Sequence, residues 1–153
     1  MGGTQEGAIS AVLLLHHQSG PLRALRQALH TLAVRTREAQ TCEEASRLLA
    51  ESDPPELLFT DTQLPDGNWA DVVCLAEKGS APVNVIVVSR LVDVRLYIEA
   101  LQAGAFDFIA PPFEPSELAH VVRCAAGNIA SRRKTAARAA PSHNSAQMVL
   151  PAA

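Results

Sequence analysis

An alternation constrains this chain most: short, unbroken apolar runs separated by longer segments whose apolar residues recur every three or four positions. The runs are Ala11–Leu15, Glu56–Thr60, Val83–Val88 and Phe106–Ala110, each bounded by turn or capping residues, and a weaker one at Leu32–Arg35 fits an edge strand. Continuous hydrophobicity of this kind is what a parallel strand needs when both its faces are covered. Between the runs, Leu22, Leu25, Leu29 and Leu32 follow helical spacing, and Pro21 suits a first turn. Thr41 and Glu44 form a capping box ahead of Ala45, Leu48 and Leu49, because hydroxyl and carboxylate can each satisfy a free amide at a helix start. Val72, Val73 and Leu75 mark a third helix, and Val92, Leu96, Ala100 and Leu101 a fourth that ends near Gly104. Pro115, Glu117, Leu118, Val121 and Val122 open a fifth.

Five βα units in series predict an α/β fold of three layers, a five-stranded parallel sheet covered by helices on both faces through right-handed crossovers. In such sheets the working crevice lies beyond the carboxyl ends of the strands. Those ends carry His16 and His17, Asp61, Ser89, and Pro111 with Pro112.

Length and composition set the outer limits. With 153 residues, 48% apolar and 19% charged, the chain suits one domain with a tail and is excluded from wholly disordered behaviour. No apolar run approaches the roughly 18 residues of a spanning helix. MGGTQEGAIS lacks the features of an export signal, so the expected compartment is the cytoplasm. Charge is unevenly placed: all 16 acidic residues lie between Glu6 and Glu117, whereas Arg132, Arg133, Lys134 and Arg138 fall in the last 24 positions. An acidic body argues against nucleic-acid binding by the folded part, and the basic cluster reads first as a solvated helix end. The expected division is a flexible segment at 1–8, a domain at 9–128, and at 129–153 a basic, Ala-rich helix extension that Pro141 stops, followed by a disordered tail. Cys42, Cys74 and Cys124 have no C-x-x-C spacing and are expected to be reduced core thiols.

The aspartate closing LLFTDTQLPDG, the serine closing VIVVSR and the stretch AGAFDFIAPPF, each on the right element, resemble the receiver domain of bacterial response regulators over roughly residues 9–128. DTQLPDG is most similar to receivers of the NtrC type, with Trp69 where many relatives have a second glycine. The resemblance implies flavodoxin-like (βα)5 topology and a role in two-component or phosphorelay signalling. It implies that Asp61 is the phosphoacceptor, that Ser89 and Phe108 are the switch hydroxyl and aromatic, that Pro112 follows a cis peptide, and that Gly104 ends the fourth helix. Its partners would be a histidine kinase or downstream effector, or a second copy bound through the face of the fourth helix, fifth strand and fifth helix, to which Tyr97 and Phe108 belong. Neither a membrane nor nucleic acid is an expected partner, and no enzymatic activity is expected.

Two departures bear on chemistry. An acidic pair that binds magnesium in the family reads His16 and His17 here, and the family's lysine reads Pro111. Magnesium takes oxygen ligands, so of the implied set only the Asp61 carboxylate and the Gln63 carbonyl remain, and magnesium binding is expected to be weak or absent. Three readings of the histidines stand open: residues filling a site that no longer holds metal, a protonated countercharge beside Asp61, or a site for zinc, iron or nickel built from His16, His17 and Asp61. Ser89 equally reads as an ordinary strand-end hydroxyl, and Trp69, Tyr97 and Phe108 as packing residues.

Overall fold

The computed structural model describes residues 12–79 and 81–149. In chain order the elements are β1 (Val12–Leu15), α1 (Gly20–Thr31), β2 (Thr36–Ala39), α2 (Cys42–Leu49), β3 (Leu57–Asp61), β4 (Gln63–Leu64), β5 (Gly67–Asn68), α3 (Trp69–Lys78), β6 (Asn84–Val88), α4 (Val94–Ala103), β7 (Asp107–Ile109) and α5 (Pro115–Val149). The main sheet is parallel throughout, in the order β2-β1-β3-β6-β7. The chain therefore winds outward from β1 in both directions, and the switch point falls between β1 and β3.

Alternation along each strand explains the unbroken apolar runs. Leu13, Leu15, Leu58, Val85, Val87 and Phe108 face a core closed by α2, α3 and α4. Val12, Leu14, Leu57, Phe59, Ile86 and Val88 face the opposite core, closed by α1 and α5. With both faces buried, polar alternation has no place.

Local signals act largely as read. Pro21 sits in the first turn of α1, and Ser19 caps it by accepting from the Leu22 amide. Thr41 accepts from the Glu44 amide, while the Glu44 carboxylate reaches the Gln40 amide, one residue before the cap. Gly104 closes α4 with a φ of 116°, a conformation that Cβ-bearing residues disfavour.

Several expectations require correction. The edge strand is Thr36–Ala39, not Leu32–Arg35. Leu32 and Val34 both donate to carbonyls of the last turn of α1, with Ala33 left-handed between them, so these apolar residues close the helix instead of pairing. A two-stranded antiparallel ribbon, β4–β5, follows β3. Its turn carries Pro65-Asp66-Gly67, a turn signal legible in the sequence. Asp66 reaches across to accept from the Cys42 and Glu43 amides at 2.7 and 3.1 Å, and so caps α2 from outside. The Cys42 amide foremost, with that of Glu43, holds the Asp66 carboxyl below its ordinary range.

Only Cys42 is a core thiol; Cys74 and Cys124 are exposed. Burial, reinforced by Asp66, pushes the Cys42 thiol up to about 11, so it stays protonated. Helix α5 continues past Pro141 to Val149. One proline removes a single intrahelical donor, and the surrounding Ala-rich segment propagates the helix well enough to carry across it. Residues 1–8 and 150–153, expected to be flexible, lie outside the described residues.

The basic cluster is partly spent inside the fold. Asn84, buried at the start of β6, donates to the Ala125 carbonyl at 3.1 Å and to Asn128 Oδ1 at 3.0 Å. Arg132 donates to Asn84 Oδ1 at 2.6 Å, and Arg133 pairs with Glu56 at 2.8 Å. These bonds fasten α5 to the amino-terminal edge of the sheet.

Candidate functional site

Strand register brings the candidate residues to one edge. Leu15 lies level with Thr60, Asp61 with Val88, and Val88 with Ile109, so His16, Asp61, Ser89 and Ala110 all stand at the carboxyl end of the sheet. Asp61 is half-buried and its Oδ1 accepts from the Thr62 amide at 2.7 Å. Ser89 is buried, and its hydroxyl accepts from the Leu91 amide at 3.4 Å. Its own amide donates to the Ile109 carbonyl.

The two histidines part company. His16 is only 7% exposed, and its Nδ1 accepts from the Ser19 amide at 3.1 Å. That bond leaves the proton on Nε2, which lies 3.6 Å from Glu38 on β2. His17 is exposed, and the chain turns at Gln18 with a φ of 57°. Successive residues leaving a strand point to opposite sides, and here one is taken into the helix start while the other meets solvent. Glu38 and Ser19, the partners of His16, escaped the sequence reading; the Ser19-Gly20-Pro21 helix start was a usable signal for the second.

Burial outweighs the attraction of Glu38 and of Asp61 and, with Arg23 acting the same way, lowers the His16 pKa. A neutral imidazole with Nδ1 as acceptor is therefore not a protonated countercharge to Asp61. The consequence for stability has a definite sign: the unfolded chain takes up the proton first, so stability is full above pH about 6.5 and declines below it until the folded imidazole also protonates. Urea unfolding across that window should show the decline, and His16→Asn, which keeps an acceptor for Ser19, should flatten it. An unchanged slope in the variant would assign the decline to other groups.

The side chains of His16, His17 and Asp61 do not form one ligand set. Among the described residues, no three His, Cys, Asp or Glu side chains converge on a common point. Gln63 lies in β4 with its side chain exposed, paired through the backbone with Asn68. The residues present do not fit magnesium either: a buried, hydrogen-bonded imidazole stands where an oxygen ligand is needed, and Asp61 is the one side-chain carboxylate left of the ligand set that the resemblance implies. Pro111 joins Pro112 through a cis peptide bond and brings neither charge nor donor to the edge. Chemically, the edge holds a carboxylate and a hydroxyl, and neither His16 nor Pro111 brings the charge that the resemblance expects at its position.

Phe108 is buried and meets Tyr97 edge to face, with centroids 5.9 Å apart and planes at 77°. Beside it, Leu91, Val92, Val94, Tyr97, Ile98 and Leu101 are all exposed on α4 and the turn before it, Val92 to 80%.

A five-stranded parallel sheet in this order, with an aspartate closing its third-ranked strand, defines the receiver class of signalling domain. The chain belongs to the response regulator receiver domain family, whose model matches residues 12–123, and is a receiver of two-component signalling. It is similar to the KDP operon transcriptional regulatory protein KdpE of Escherichia coli, 35% identical over 114 residues that cover 74% of this chain and 50% of that one. The response regulator protein PilR of Pseudomonas aeruginosa is 36% identical over 90 residues, 59% of this chain and 20% of its own length. The chain thus spans between a fifth and about half of these curated relatives. The same fold occurs in the non-phosphorylated HemR receiver domain of Leptospira biflexa, at 23% identity and a TM-score of 0.60, covering 76% of this chain and 93% of that one. It also occurs in the receiver domain of sensor histidine kinase PA1611 from Pseudomonas aeruginosa, which has magnesium coordinated in its active site cleft, at 21% identity and a TM-score of 0.64, covering 76% and 97%.

Proposed function

We propose that this receiver works mainly as a protein-interaction module whose output face is set by packing and not by magnesium-assisted phosphorylation of Asp61. The bonding of His16 carries the reading: its Nδ1 is committed to the Ser19 amide, at the position where the resemblance expects an acidic metal ligand. Pro111 withdraws the second cation. Phosphoryl transfer depends almost wholly on positioning and charge neutralisation, so a carboxylate without either cation is a poor acceptor. Phe108, buried beneath Tyr97, supports a switch aromatic already seated inward. The exposed apolar strip from Leu91 to Leu101 is contiguous with that pair, and a patch of this kind favours a protein partner. A histidine kinase, a downstream effector, or a second copy through α4, β7 and α5 is such a partner; the module is cytoplasmic and non-enzymatic on this reading.

Incubation with acetyl phosphate and magnesium, followed by intact-mass measurement, tests it. The expected result is an unmodified mass. A stoichiometric phosphoryl adduct that disappears in Asp61→Asn would overturn the proposal and make the protein an ordinary phosphoacceptor receiver with altered metal use.

A further inference from the structure

Where α1 ends and β2 begins, the surface folds into a groove of about 630 Å³. Thr36, part of its lining, lies level with Val12 at the start of β1, so the groove opens at the amino end of the sheet, whereas Asp61 closes β3 at the other end. Arg26, Gln27 and His30 line it from α1, three and four residues apart and therefore on one helix face. The chain turns at Ala33, left-handed with a φ of 62°, and brings Arg35 to the same groove. Every polar side chain of the lining can donate a hydrogen bond. Although 16 acidic residues lie between Glu6 and Glu117, none among the described residues lines the groove. Arg26 donates through one nitrogen to Glu38, outside the lining, at 2.7 Å; this bond steadies the guanidinium and leaves its other N–H groups for a ligand.

We propose that this groove binds a small phosphate ester, with the phosphate held by the Arg26 and Arg35 guanidiniums and the organic part resting on Ala33 and Val34. Guanidinium forks match phosphate oxygens two at a time. A phosphate monoester carries a charge of about −1.5 to −2 at neutral pH, which two arginines balance, whereas a single carboxylate would leave one of them unanswered. The volume falls within the range of about 300–1,000 Å³ typical of sites that enclose a whole small molecule, more than a lone phosphate needs. Gln27, His30 and Thr36 supply further donors for the ester's polar groups. The groove stands at the opposite end of the sheet from Asp61, so this inference is independent of whether that residue is phosphorylated.

Full-length protein labelled with ¹⁵N is titrated with adenosine monophosphate, inorganic phosphate and adenosine in turn, and the amide resonances are followed. Adenosine monophosphate is expected to saturate one site per chain and to shift the amides of residues 33–36. Inorganic phosphate should shift the same amides but bind about tenfold more weakly, because it buries no apolar surface, and adenosine alone should not saturate. Arg26→Gln and Arg35→Gln are exposed substitutions that should keep the circular dichroism of the parent and each weaken binding about tenfold, through loss of a charged hydrogen bond. Arg37→Gln removes the same charge from an exposed residue of β2 outside the lining and should leave the affinity unchanged. Shifts that never saturate, equal affinity for phosphate alone, or a loss in Arg37→Gln as large as in the two groove variants would each overturn the proposal.

Discussion

A chain carrying His16→Asp, His17→Asp and Pro111→Lys together is expected to be phosphorylated on Asp61 by acetyl phosphate and magnesium at least about a hundredfold faster than the parent. The size follows from what preorganised charge contributes at a transition state, where one well-placed group changes a rate by about 10²–10³. The variant adds two carboxylate ligands and an ammonium to an edge that already holds the Asp61 carboxylate and the Ser89 hydroxyl. It also brings like charges together, so without metal the variant should unfold more readily than the parent, and magnesium should recover part of that loss. Intact-mass time courses check the rate, and Asp61→Asn in the triple background should abolish the adduct. A folded triple variant whose mass stays unmodified would show that the missing cations are not what separates this receiver from a phosphoacceptor.

Removing the Phe59 ring should cost about 3–5 kcal/mol, the range for truncating a buried aromatic to alanine. Phe59 is fully buried in the central strand β3, within the core closed by α1 and α5. Neighbours on a central strand between two neighbouring strands collapse poorly into the cavity, which keeps the cost near the full value. Against a total stability of about 5–15 kcal/mol for a domain of this kind, Phe59→Ala should lower the thermal midpoint on the order of 10 °C. Tyr97→Ala is the contrast: Tyr97 is 41% exposed, and its loss should cost little beyond the edge-to-face contact with Phe108. Differential scanning calorimetry of both variants decides the ranking, and equal losses would contradict the burial argument.

Four of the five main strands and every helix were legible because their signals are local. An apolar run buried on both faces, a Pro in a first turn, or a Gly with positive φ acts through its immediate neighbours in the chain. The edge strand β2 was misplaced for the complementary reason. Thr36–Ala39 has a polar, half-exposed pattern, and what makes it a strand is the row of amides and carbonyls that β1 offers. The Asp66 cap on α2 and the Asn84–Arg132 fastening join residues 24 and 48 positions apart, beyond the reach of any local pattern. Exposure of Cys74 and Cys124 depends likewise on which face of each helix meets the sheet.

By itself the amino-acid sequence determined the alternation of strands and helices, and with it a parallel sheet whose carboxyl edge gathers Asp61, Ser89 and the two histidines. Periodicity suffices for that, since both faces of each strand must be covered and crossovers have one hand. Only the tertiary structure decided what His16 does there. Its orientation comes from the Ser19 amide, three residues on in the chain, together with Glu38 on a neighbouring strand, and its lowered pKa comes chiefly from burial; the last two exist only once the fold has brought distant residues together.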